Sequence, residues 1–175
     1  MSMTLRPSVQ TTCAEEIAKD ENKANCNVFL KAVCEKQYIF LPTSNVGIKD
    51  TSKSGTANDL MQGFVDYSLM LSTMFTFLGR GSEGAVHAVA LAKVGKLVIC
   101  GLTSTELNQE TSRKKEGAVT LHGHVAVLTG EFGANAWPMA YWGMHKKPKE
   151  AGTPASLSLC FRRGDQPKLA YYAYA

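Results

Sequence analysis

The hydrophobic pattern of this chain changes its period part-way along, and that change constrains the fold most. Up to Gly95 the apolar residues recur at helical spacing. The stretch "TTCAEEIAKDE", residues 11 to 21, reads as a first helix. Thr12 and Glu15 make a capping box, with Cys13, Ile17 and the flanking Ala14 turned inward. "NCNVFLKAVCEKQ" reads as a second, with Asn25 as N-cap and an apolar stripe of Phe29, Leu30, Val33 and Cys34. "LPTSNVGIKDTSKSGT" is a polar loop rich in turn formers. "ANDLMQGFVDYSLM" is a third helix that buries Leu60, Met61, Phe64, Val65 and Leu69. "SEGAVHAVALAKVG" is a short apolar helix ending at Gly95, with His87 half-buried on it. Beyond it "KLVICGL", "AVTLHGHVAVLTG", "WPMAYWG", "SLSLCFRR" and "KLAYYAYA" are β-branched or aromatic runs between turn residues. Helices first and strands after predict an α+β domain, its N-terminal helices packed on one face of an antiparallel β-sheet. With 175 residues and neither repeat nor linker, the chain reads as one domain over 1–175.

Charge narrows the function classes. The net charge is +4, and the basic residues are dispersed apart from "SRKKE" and "HKKPKE". Both runs read as solvated loops, so no nucleic-acid partner is expected. The start "MSMTLRPSVQTT" lacks the apolar core of a signal peptide. "SLMLSTMFTFLG" is the most apolar stretch and is too short to span a bilayer. The expectation is a soluble protein not exported by the general secretory route. Five cysteines with no CxxC argue against a zinc ribbon or a dense disulfide framework, and leave one or two disulfides open.

Two of those cysteines share the second helix and differ in chemistry. Cys26 falls in the first turn, where free backbone N–H groups and the positive end of the helix dipole concentrate. Both favour thiolate, so its pKa is expected to fall. The same N–H groups can bind the oxyanion formed when that thiolate attacks a carbonyl. Cys34 lies on the apolar stripe, where a thiol is a small hydrophobe. A nucleophilic cysteine needs a base. His145 sits in a charged loop. His122 and His124 open an otherwise apolar strand and point to one side of it by period-two alternation. A histidine at a strand start, packed against a helix N-terminus, is the geometry of a Cys–His pair.

These residues carry a resemblance. "NCNVFLKAV", "TANDLMQGF", "GKLVICGL", "GHVAVL" and "WPMAYWG" occur in that order, and the chain ends in the Tyr-rich "LAYYAYA". The ordered set resembles the NlpC/P60 branch of papain-like peptidases, in particular the type VI secretion amidase effectors. The resemblance spans roughly residues 20 to 175. It implies a papain-like NlpC/P60 fold with Cys26 as nucleophile and His124 as general base, and neither metal nor organic cofactor. It further implies hydrolysis of a peptide-stem amide of Gram-negative peptidoglycan. The bond would be D-glutamyl–diaminopimelate within a stem or the diaminopimelate–D-alanine cross-link, with a slight lean to the cross-link. Such a protein is made in the cytoplasm and delivered by the type VI secretion machinery into a rival's periplasm, which lyses. A cognate periplasmic immunity protein would plug the groove, at the loops "TSNVGIKDTSKSG" and "STELNQETSRKKEG". The family commonly has Ser-Gly after the cysteine; Asn27-Val28 stands here, so the groove floor is bulkier. The group that orients His124 is open between a backbone carbonyl, Asn135 and His145.

Two other classes compete. His122-Gly123-His124 is an H-x-H, as in zinc amidases of cell walls. Those also need an upstream histidine followed closely by aspartate. His87 has no such aspartate, and Cys26 would be left without a role. The second is a module that binds the wall or a partner and has lost the reaction, since fold does not guarantee function.

Overall fold

Ser8 starts the first helix. Its hydroxyl accepts the Thr11 backbone N–H at 3.1 Å, and α1 runs over Val9–Ile17. The predicted Thr12–Glu15 box does not form. Thr12 lies inside the helix, 1% exposed, and its hydroxyl accepts from Gln37 Nε2 at 2.6 Å. A serine one turn earlier caps the chain first, which frees Thr12 to tie α1 to the end of the next long helix. Cys13 and Ile17 are buried, as their spacing predicts. One short turn, α2 (Asp20–Lys23), follows. Its Asn22 is buried and donates to the Glu16 carbonyl at 2.9 Å. The computed structural model describes residues 7–23, 25–41, 57–68, 74–108, 123–133, 136–143 and 153–175.

Helix α3 (Cys26–Lys36) begins where its sequence says. Asn25 is extended and its side-chain oxygen accepts the Asn27 N–H at 2.9 Å. Phe29, Leu30, Val33 and Cys34 are all buried. The helix ends in a Schellman motif: Ile39 N–H donates to the Cys34 carbonyl (2.8 Å) and Tyr38 N–H to that of Glu35 (3.1 Å). Tyr38 therefore takes a left-handed φ of 53° while 78% exposed. Glycine adopts that conformation without strain. Tyr38→Gly is expected to stabilise the fold by about 0.5–1 kcal/mol, read as a raised denaturation midpoint. A lowered midpoint would contradict the cap.

Helix α4 (Ala57–Ser68) buries Leu60, Met61 and Phe64; the side chains of Val65 and Leu69 lie outside the described residues. Phe64 stacks on Tyr172 and meets Phe75 edge-on, with centroids 5.1 and 4.9 Å apart. Strand β1 (Phe75–Arg80) precedes helix α5 (Gly81–Lys93), so the order is not simply helices then strands. His87 on α5 is exposed rather than half-buried. Strand β2 (Val98–Leu102), the single helical turn α6 (Ser104–Asn108), strand β3 (His124–Phe132) and strand β4 (Pro138–Tyr141) follow. The run "SLSLCFRR" is not a strand. Only β5 (Ala155–Ser156) is extended; Ser156 Oγ then accepts the Ser158 N–H and turns the chain into a 3-10 helix at Leu157–Leu159. A second 3-10 helix (Arg163–Lys168) leads into β6 (Ala170–Tyr174).

Among the described residues six strands form one sheet, ordered β1-β6-β2-β3-β4-β5, with every pair antiparallel. The fold is α+β, as the pattern predicts. Helices cover both faces of the sheet, not one. Val125, Val127, Ile99 and Tyr172 face the core shared with α1, α3 and α4. Ala126, Leu128, Val98 and Tyr171 face the core shared with α5. Ala85, Ala88 and Ala92 let α5 lie close to the sheet. All five cysteines are free thiols. No helix among the described residues is long and apolar enough to cross a membrane.

Candidate active site

A glycine sets how the α3 N-terminus meets the sheet. A Cβ on Gly143, just past β4, would press on the Asn25 carbonyl oxygen and come within 2.5 Å of that of Asn22. With no side chain there, the α2–α3 junction settles against the end of β4. The β3–β4 ladder reaches only as far as Val127 paired with Tyr141. The start of β3 overhangs beyond the end of that ladder beside Cys26, and the Val125 N–H is one of the groups that draw its thiol toward thiolate. Val125 immediately follows His124, so the structure brings Cys26 close to the backbone at the start of β3 across about 100 residues of sequence, while the His124 side chain, out of phase with Val125, turns to the Phe161 side. Gly143→Ala is expected to push the helix end away. It should cost about 1–3 kcal/mol of stability and on the order of 100-fold in turnover, through misplacement of the thiol. Unchanged melting and unchanged turnover together would show that the close approach is not needed.

The strand start is pinned as tightly. A Cβ on Gly123 would come within 2.5 Å of Asn58 Oδ1 and 2.9 Å of the Leu102 carbonyl oxygen. Helix α4 thus holds the backbone just before His124. His124 itself is half-buried, pairs with Leu102 across the sheet, and meets Phe161 edge-on with centroids 5.7 Å apart.

The thiol is not the low-pKa cysteine its helix position predicts. Cys26 is 2% exposed. Burial lifts its pKa to about 11, and the N–H groups of Val125, Cys26 and Asn27 offset only part of that rise. The resting group is a neutral thiol, whose S–H donates to Asn27 Oδ1 at 3.4 Å. Cys34 is the inert filler its stripe predicts: burial, then the neighbouring Cys13, pushes it far above the ordinary thiol range. His122, Asn135 and His145 lie outside the described residues, as do the basic runs and most of both loops proposed for partner contact. Among the described residues no three His, Cys, Asp or Glu side chains converge as metal ligands.

Several neighbours were not legible in the sequence. Asn27 is 8% exposed, and its side-chain oxygen accepts the thiol proton. Phe161 and Cys160 flank the histidine side. Burial, then Cys100 and Cys26, raise the Cys160 thiol well above its ordinary value. Both residues line a cleft of about 720 Å³ that continues to Trp137, Arg162, Arg163 and Gln166. Its volume suits a short peptide. Trp142 Nε1 is buried without a hydrogen-bond acceptor among the described residues and packs on the core cluster that contains Phe161. The arrangement combines a nucleophile-type side chain at a helix N-terminus, a histidine at the adjoining strand start, and a cleft that meets that histidine through Phe161. Compared with known proteins, the chain matches no family model and no curated protein significantly.

Proposed function

We propose that this chain is a cysteine amidase of the NlpC/P60 type that hydrolyses peptide-stem amides of Gram-negative peptidoglycan. The observation that carries the reading is the Cys26 thiol at a capped helix N-terminus, beside Val125 at the strand start that bears His124. His124 takes the thiol proton as substrate enters, because a thiol with a pKa near 11 does not ionise unaided at neutral pH. The sulfur attacks the amide carbon, and the carbonyl oxygen becomes an oxyanion facing the N–H groups of the α3 N-terminus. His124 returns the proton to the leaving amine, and the C–N bond breaks. Water, deprotonated by His124, then hydrolyses the thioester and restores the thiol. No step calls for a metal or organic cofactor.

The wider setting follows from the same resemblance. The protein is proposed to be a type VI secretion effector delivered to a rival's periplasm, countered by a periplasmic immunity protein that occludes the groove. Asn27 packed at the thiol makes the groove floor bulkier than Ser-Gly would. That favours, slightly, the diaminopimelate–D-alanine cross-link over the D-glutamyl–diaminopimelate bond. Digestion of purified muropeptides with fragments identified by mass tests both claims. Cross-linked dimers should fall to monomers, in a reaction indifferent to chelators. One observation favours a second reading, a module that binds the wall without cutting it: the near-complete burial of Cys26. Intact muropeptides after exhaustive digestion would select it. Cleavage abolished by a chelator would instead select the H-x-H metallopeptidase.

A further inference from the structure

Resting on the hydrolase reading, we propose that the cleft beside Phe161 binds the substrate peptide and that Arg162 and Arg163 hold one of its free carboxylates. The cleft adjoins the candidate site. Neither Cys26 nor His124 lines it, but Phe161 does and is the residue against which the His124 ring rests, with Cys160 next in the chain. Two exposed arginines and Gln166 line the same cleft. Neither arginine is ion-paired among the described residues. The nearest acid in sequence, Asp165, is 2% exposed and uses a carboxylate oxygen to accept the Arg162 backbone N–H at 2.8 Å. That bond shapes the 3-10 turn and presents both arginines from one rigid corner. Two unneutralised guanidiniums lining a peptide-sized cleft recognise a planar, bidentate anion. Beside a site that attacks an acyl carbon, the fitting anion is a carboxylate of the peptide being cut. The trait would select acid-rich stems over neutral peptides.

The test compares a stem peptide bearing free carboxylates with the same peptide amidated. Both are offered to the wild-type chain and to Arg162→Ala/Arg163→Ala, with hydrolysis followed. Binding of both to the Cys26→Ala chain, with and without the arginine changes, is measured by calorimetry. Amidation and the double substitution should each lower kcat/KM on the order of 10- to 100-fold, mainly through KM, as loss of charge-assisted hydrogen bonds does. The double variant should no longer distinguish acid from amide, and Arg162→Lys should retain part of the preference. Equal cleavage of both peptides by the wild-type chain, or undiminished preference in the double variant, overturns the assignment and leaves the hydrolase reading standing. Arginine-dependent binding of the acid without any cleavage upholds the cleft and removes the hydrolase. Neither cleavage nor arginine-dependent binding removes both.

Discussion

Cys26→Ala is expected to bring muropeptide hydrolysis to background while the chain still folds, with a stability loss on the order of 1 kcal/mol for the smaller buried side chain. The same substitution should abolish lysis when the chain is directed to the periplasm by a fused signal peptide. Removing the sulfur removes the bond-forming atom, so no residual covalent route exists. His124→Ala should be as inactive, because a thiol with a pKa near 11 carries on the order of 1 thiolate in 10,000 at pH 7 without a base. Cys34→Ala is the control. It should keep full turnover and lose on the order of 1 kcal/mol of stability for the smaller buried side chain. Alkylation separates the resting thiol from the working one. Iodoacetamide should react slowly with Cys26 at neutral pH and about tenfold faster per pH unit, up to the thiol pKa. Turnover at neutral pH alongside slow alkylation means the proton leaves only when substrate is bound. An active Cys26→Ala, or a dead Cys34→Ala, would sink the assignment.

Local chemistry was legible where one stretch of chain decides the outcome. Asn25 announces the start of α3 because its side chain reaches only two residues ahead, to Asn27. The apolar stripe of α3 and the end of α5 near Gly95 are visible for the same reason. What depends on distant residues was not. Strand β1 hides in a run of apolar residues with no alternation, and its pairing partner β6 lies about 100 residues away. Periodicity says that α5 buries a stripe, not which face of the sheet receives it. The expected low pKa of Cys26 fails on the same ground. The helix N-terminus supplies donors, as its sequence implies, but burial outweighs them. Gly143 and Val125, each about 100 residues or more further on, help to fix that contact. The cleft was missed because "SLSLCFRR" alternates like a strand, while Ser156 and Asp165 cap it into 3-10 turns. The arginines that face the cleft were thereby read as strand residues.

Alkaline pH is expected to unfold this protein over a narrow range starting near pH 9. Cys13, Cys26, Cys34 and Cys100 are each at most 2% exposed, and burial raises all four thiols, Cys26 to about 11 and the others further. In the unfolded chain they ionise near the ordinary thiol pKa of about 8.5 to 9. Below that value both states hold the protons and stability is flat with respect to these groups. Above it the unfolded chain releases protons that the folded chain keeps, so unfolding is favoured as pH rises. Each thiol then removes about 1.4 kcal/mol per pH unit until its folded pKa is reached. For Cys26 the loss ends near pH 11; for the other three it continues beyond. Four such groups together remove on the order of 5 kcal/mol per pH unit. A domain stability of about 5–15 kcal/mol is therefore exhausted within about one to three units. Buried Tyr171 and Tyr172, whose hydroxyls are likewise raised by burial, steepen the loss at the upper end. The check is the urea midpoint as a function of pH under reducing conditions, repeated for Cys13→Ala/Cys34→Ala. The double variant starts lower at pH 7, because both sites lose volume, yet its midpoint should fall less steeply between pH 9 and 11, because two of the five raised thiols, Cys160 being the fifth, are gone. Equal slopes in the two proteins would mean that these thiols are not the buried titrating groups the packing implies.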